Sequence, residues 1–159
     1  MDRPLTKRLH RDYITVFRIS SLIMHLVLYV LVIAYIAFAA WKHWTYIPGF
    51  IGLAVVSISA LLFIWFIPEL KYRRFQYELF DEELEIQSGL IVIRNVLVPM
   101  VRVQHVELES GPLMRNYELA SVAVVTAATT HRISGLKQSE AHFLKRRIGQ
   151  LAKVDELDD

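Results

Sequence analysis

The sequence contains no cysteine. Disulfides, thiolate zinc sites and cysteine nucleophiles are thereby excluded, and the chain suits a reducing compartment. A strong charge of one sign is missing too: 18 Lys and Arg face 16 Asp and Glu, a formal net charge of +2. A nucleic-acid-binding face needs a clear basic excess, so no nucleic-acid partner is expected. G-x-S-x-G, Walker A and G-x-G-x-x-G are all absent. The six histidines (His10, His25, His43, His105, His131 and His142) offer no H-x-x-x-H spacing. They also fall on both sides of the membrane expected below, so neither a metal nor a cofactor is expected.

What the chain has is apolar residues, unevenly placed. They make up 54% of the sequence, against about 45–50% in an average soluble domain, and the excess lies between Val16 and Ile67. The run Ile19–Trp41 has His25 as its one residue able to carry charge near neutral pH, and Ile47–Ile67 has none. At the helical rise the first run spans about 34 Å, enough for a hydrocarbon core of about 30 Å. A signal peptide has a shorter apolar stretch and no second span directly after it. A buried core helix of this length keeps a polar stripe, and neither run shows one. Two transmembrane helices, at about 19–41 and 47–67, are expected.

The connection Lys42–Tyr46 is short enough to make them an antiparallel hairpin. Trp41, Trp44 and Tyr46 at the loop, with Trp65 and Tyr72 at the far end, match interfacial aromatic belts. Pro48 falls in the first turn of the second helix, where a missing N–H costs nothing. Arg3, Lys7, Arg8, Arg11 and Arg18 flank one side, Lys71, Arg73 and Arg74 follow the second helix, and the loop has only Lys42. The positive-inside rule then puts both termini in the cytoplasm of a multi-pass cell-membrane protein. His25 is a candidate intramembrane polar contact, either bonded to the other helix or to a second protein. Gly49, Gly52, Ser57 and Ser59 suit close helix packing.

After Lys71 the pattern changes to alternation. Phe75, Tyr77 and Leu79 share one face, Asp81-Glu82 makes a turn, and Leu84 and Ile86 continue in the next strand. Ser88-Gly89 precedes an apolar strand over Leu90–Val98, which Pro99 stops. Val101–Glu109 reads as a strand with a change of parity, which suggests a β-bulge near Gln104 or His105. An irregular stretch around Leu113–Leu119 leads to strands at Ser121–Ala127 and Thr130–Ile133. A helix from about Gln138 to Ala152 closes the chain, with Ser139 as N-cap and Ala141, Leu144, Ile148 and Leu151 on one face. The expected fold is thus a two-helix transmembrane hairpin plus a small antiparallel β-barrel or curved sheet capped by a C-terminal helix. Its parts are a basic segment at 1–15, the hairpin at 16–68, a domain at 71–152 and an acidic tail at 153–159.

Pro99-x-x-Arg102-Val103-Gln104 with Val106-Glu107, then Gly111-Pro112-Leu113 and Leu119-Ala120, and later HRISGL from His131, resemble the bacterial pleckstrin-homology-like domain of YdbS-like membrane proteins. That family also places two transmembrane helices before the domain, so the resemblance covers nearly the whole chain. It implies a pleckstrin-homology-like barrel closed by the last helix, no defined catalytic residues, and a larger membrane protein with several such domains as companion.

Arg102 and Gln104, two apart on one expected strand, project to one face and suit an anionic headgroup or a partner's backbone. The structural alternative, which is favoured, pairs Arg102 with Glu107 or Glu118 to brace the bend. Arg115, His131 and Arg132 are candidates for the same basic rim. Asp81, Glu82, Glu83 and Glu85 at a hairpin read as solvated surface rather than acid–base machinery. Lys145, Arg146 and Arg147 read as the solvated side of the helix, with contact to anionic lipid as the alternative. The function expected is a non-enzymatic membrane-anchored adaptor in a cell-envelope complex, as a hetero-oligomer with another such membrane protein or as a homo-oligomer. A lipid or amphiphilic-peptide sensor is the alternative, and a membrane enzyme acting on lipid a remote one.

Overall fold

The computed structural model describes residues 5–155, with side chains to 153. The basic residue Arg3 and most of the acidic tail lie outside the described residues. The chain divides into two compact units, Ile14–Glu69 on one hand and the segments up to Tyr13 and from Leu70 on the other.

The first unit is the helical hairpin. Helix α1, Asp12–Trp41, begins seven residues before the expected span, and α2, Ile47–Leu61, follows the short loop. Asp12–Trp41 and the continuous helical run Ile47–Arg74, of which α2 is the first part, are each long and apolar enough to cross a membrane. Helix α1 ends in a Schellman turn: His43 takes φ 56°, and the Trp44 N–H reaches the Ala39 carbonyl at 2.8 Å. A π-helical turn, Leu62–Phe66, joins α2 to α3, Ile67–Arg74. It lets the Ile67 N–H bond the Leu62 carbonyl five residues back. Pro68 follows at once, and a proline ring clashes with an ordinary helical carbonyl ladder, so the wider turn accommodates it. The stretch Pro68–Arg74, between the apolar run and the domain, is helical throughout.

Between α1 and α2, a Cβ on Gly49 would sit 2.4 Å from Ile36 Cγ1, so any larger residue here would have to displace that side chain. Two polar contacts cross the same seam. His25 Nδ1 lies 2.7 Å from the Ser21 carbonyl and Nε2 lies 3.1 Å from Ser59 Oγ. Tyr29 donates to Ser57 Oγ at 2.8 Å. His25 is thus held by its own preceding turn and by the other helix.

The second unit contains two antiparallel sheets. One has the order β1-β2-β3-β4 and the other β5-β6-β7. Strand β1 is Lys7–Arg8, β2 Gln76–Leu79, β3 Glu83–Ser88 and β4 Arg94–Pro99. Strand β5 is Val103–Glu109, β6 Leu119–Thr126 and β7 Thr130–Lys137. The one-turn helix α4, Pro112–Asn116, occupies the stretch expected to be irregular. Helix α5, Gln138–Asp155, starts one residue before Ser139, which therefore lies inside the helix rather than capping it.

Strand β1 was not expected; the segment up to Tyr13 that carries it groups with the residues from Leu70 onward. Lys7 and Arg8 pair with Tyr77 and Gln76, and Leu9 enters the core. The His10 N–H then donates to the Gly135 carbonyl at 2.7 Å, which links the first sheet's end to β7. Gly135 takes φ +75°, and a Cβ there would strike the Tyr13 ring at 2.3 Å. Thr6 donates to Glu78 through its N–H and its hydroxyl. Partial burial raises the Glu78 carboxyl, but those two bonds and Lys7 outweigh it and hold it below the usual range.

The core joins both sheets to α5. Tyr77, Leu84 and Ile86 meet Val122, Val124, Ile133 and Leu136 beneath Ala141, Leu144 and Ile148. The alternation of β2 and β3 and the helical spacing of α5 account for this set. Tyr77 is fully buried, and its hydroxyl donates to Glu140 Oε1 at 2.9 Å. Burial and the adjacent carboxylate push its ionisation far above the ordinary phenol range.

The strand expected over Leu90–Val98 is shorter than that. Leu90–Ile93 form a loop, and pairing with β3 starts only at Arg94 opposite Ser88. Gly89 takes φ +136°, which turns the chain out of the ladder before the apolar run begins.

Candidate functional site

Strand β4 ends at Pro99, which has no N–H to extend the ladder. A 3-10 turn, Met100–Arg102, carries the chain from one sheet to the other. Met100 anchors that turn: its side chain is fully buried and its N–H donates to the Glu82 carbonyl at 2.9 Å. Strand β5 starts at Val103, and its register against β6 shifts between Val103 and His105. That irregularity lies where the change of parity indicated a bulge.

Facing this corner is the β6–β7 hairpin. Its tip is closed by Thr126, whose N–H and hydroxyl both donate to the Thr129 carbonyl, at 2.9 and 2.8 Å. Corner and hairpin bound an open groove of about 660 Å³. On one side lie Leu97, Val98, Pro99 and Val101–Gln104; on the other lie Thr126–Thr129 and His131. The size is that of ordinary ligand clefts, about 300–1,000 Å³. Its lining includes Arg102 and His131 and no acidic residue, so it favours a group with negative charge or carbonyl character.

Arg102, Gln104 and His131 are therefore brought together. Arg102 and Gln104 do not share one strand, as expected; Arg102 belongs to the turn and Gln104 to β5. Both are exposed. Among the described residues, neither Glu107 nor Glu118 pairs with Arg102; Glu107 is engaged by His105 at 3.1 Å. The bracing role thus lacks its partner. Arg132 points elsewhere and pairs with Glu109 at 3.1 Å. Arg115 sits on α4, outside the groove lining.

The hairpin side of the groove, Thr126–Thr129, went unsuspected, since short polar turn residues give no sign of what they face. The backbone adds a further feature. Strand β4 pairs only with β3, and β5 only with β6. Beside the groove, β4 thus leaves an edge free of any described strand, with Leu97 51% and Val101 64% exposed. Such an edge offers unpaired backbone groups to an added extended segment. Among the described residues no group of His, Cys, Asp or Glu is placed to hold a metal.

Residues 47–152 match the bacterial PH domain family. The chain is 39% identical over 148 residues to the UPF0699 transmembrane protein YdbS of Bacillus subtilis, covering 92% of each chain. It is 26% identical over 98 residues to the UPF0699 transmembrane protein YdbT of the same organism, a match covering 60% of this chain and 19% of that one. No solved structure matches the chain.

Proposed function

Because the chain belongs to the bacterial PH domain family and carries two transmembrane helices, we propose that it is a non-enzymatic membrane-anchored adaptor. In this reading the domain lies on the cytoplasmic side and receives an extended segment of a partner membrane protein. The observation that carries it is the groove beside the free edge of β4. Backbone groups of the edge supply affinity, Leu97 and Val101 supply apolar contact, and Arg102 with Gln104 and His131 selects an acidic or carbonyl-rich stretch.

A domain already fixed at the bilayer by two helices needs no lipid affinity to reach it, which adds weight to protein contact. The partner proposed is a larger membrane protein with PH-like domains. The occurrence of two related transmembrane proteins in one organism, one much longer than the other, supports that choice. A photo-crosslinker at Val101, activated in native membranes, should capture such a protein, and Arg102→Glu should remove the adduct. Absence of any protein adduct overturns the adaptor reading.

The basic lining favours a second reading, in which the groove takes an anionic lipid headgroup. That reading expects adducts to anionic lipid from the same probe, in vesicles free of other protein. Equal labelling in neutral and anionic vesicles counts against it.

A further inference from the structure

We propose that the β3–β4 loop, Leu90–Ile93, is an apolar tip that inserts into the lipid interface on the side where α3 leaves the membrane. Ile91 is 92% exposed, Val92 69% and Ile93 53%. Three consecutive large apolar side chains on one tip form a patch, unlike the singly scattered apolar residues common on surfaces. The run ends at Arg94, also exposed.

The tip is built rather than loose. Gly89 takes φ +136°, and a Cβ there would sit 2.0 Å from the Val92 carbonyl oxygen, so the loop folds tightly back over this glycine. Arg74 donates from its guanidinium to the Leu90 carbonyl. A long cationic side chain thus fixes the base of an apolar loop whose Ile91, Val92 and Ile93 side chains stay largely uncovered by the described residues.

The bilayer is the occupant that these contacts point to. Arg74 is the last residue of α3 and lies seven residues beyond Ile67, the end of the apolar run. Along a helix that is about 10 Å, while the headgroup layer on each side of the core is about 5–8 Å thick. The residue that grips the loop is therefore kept by its own helix close to the outer edge of the headgroup layer, and the tip reaches the interface by extending back from there. Lys71, Arg73 and Arg74 in the last turn, with Arg94 at the tip's base, supply positive charge where anionic headgroups lie. Apolar tip and basic collar together are the pattern of an interfacial anchor. This inference is independent of what fills the groove. Its consequence is a third attachment point, which would restrict rotation of the domain about the end of α3.

The absence of cysteine makes the test direct. In the full chain, Val92→Cys is labelled with an environment-sensitive fluorophore and reconstituted into vesicles of phosphatidylcholine and phosphatidylglycerol. Ala128→Cys, in the β6–β7 turn, is the comparison. The label at 92 should emit to the blue and be quenched several-fold more by lipid carrying a shallow nitroxide than the label at 128. Ile91→Asp in the Val92→Cys background should remove that difference while the far-ultraviolet circular dichroism is retained. If Val92→Cys fails to fold, Ile91→Cys provides the second label site. Quenching by aqueous iodide equal at 92 and 128 overturns the proposal. A label open to water in lipid vesicles but shielded in native membranes also overturns it, in favour of a protein over the tip.

Discussion

The hairpin and the domain follow opposite rules for their apolar residues. In the most apolar windows of the two membrane helices only 11% and 6% of residues are buried inside the protein. In the domain, Tyr77, Leu84, Met100, Leu119, Ile133, Leu136 and Ile148 are completely enclosed. Water drives apolar surface inward, whereas lipid exerts no such force between helices. The hairpin therefore keeps its apolar residues outward and concentrates its specific contacts on a thin seam of Gly49, His25, Ser57 and Ser59. The domain does the reverse and leaves large apolar residues outside only in a few places, chiefly the Ile91–Ile93 tip and the Leu97–Val101 corner.

The largest test of this contrast is a pair of leucine truncations. Leu144→Ala, at a site 1% exposed in the core, should lower domain stability by about 2–5 kcal/mol. Leu26→Ala, at a site 61% exposed on α1, should change it by less than about 0.5 kcal/mol. Unfolding of both variants in the same detergent measures the difference. A cost at Leu26 as large as at Leu144 would mean that another protein covers that face of α1, and the contrast would fail.

Glycines make the next comparison. Gly135→Ala meets two penalties, a positive φ and the Tyr13 ring at 2.3 Å. Together they should cost about 2–4 kcal/mol and loosen the attachment of the N-terminal segment to β7. Gly49→Ala meets only the Ile36 side chain at 2.4 Å, with ordinary helical φ, so about 1 kcal/mol is expected. Thermal unfolding ranks the two, and proteolysis near residues 8–13 should accelerate only in Gly135→Ala.

The same contrast explains what could be foreseen from residues alone. The spans at 19–41 and 47–67 were legible because an unbroken apolar run has one solvent that accepts it. The alternation Phe75, Tyr77, Leu79, Leu84, Ile86 and the stripe Ala141, Leu144, Ile148 were legible because water enforces a period. Leu90–Ile93 misled for that reason: an apolar run reads as a buried strand, and only the φ of Gly89 sends it outward. Strand β1 was hidden because two basic residues at a sheet edge carry no periodic signal. In the groove, Arg102 and Gln104 were legible as near neighbours in sequence. His131 joins them only through the long-range pairing of β6 with β7, and Thr126–Thr129 through a turn whose composition names no partner.

A smaller effect is expected at a polar bond inside the domain core, that of Tyr77. Tyr77→Phe removes the hydroxyl that donates to Glu140, at a cost of about 1 kcal/mol. Its pH dependence distinguishes it from a packing defect. Tyr77 ionises far more readily in the unfolded chain, near about pH 10, than in the fold. Its contribution is therefore fully present below that pH and lost progressively as pH rises above it. Wild-type stability should fall through the alkaline range, and Tyr77→Phe should flatten that fall. A Tyr77→Phe profile with the same alkaline slope would assign the loss to another group.

The smallest effect, and the sharpest for the comparison, belongs to the corresponding polar bond within the hairpin. The single hydroxyl proton of Ser59 lies between His25 Nε2 at 3.1 Å and the Val56 carbonyl at 3.0 Å. A divided donor is a weak one. Bonds between membrane helices average about 0.6 kcal/mol in any case, because helices separated in lipid still find other partners. Ser59→Ala should therefore cost about 0.6 kcal/mol or less in a reversible unfolding assay in bicelles. His25→Ala should cost little more, and the double variant should reveal coupling of the same size. A coupling of several kcal/mol would exceed what a bond between two helices in lipid supplies, even with His25 itself buried in the seam. The hairpin would then have to be part of a larger bundle, and its outward apolar faces would count as interface rather than as lipid contact.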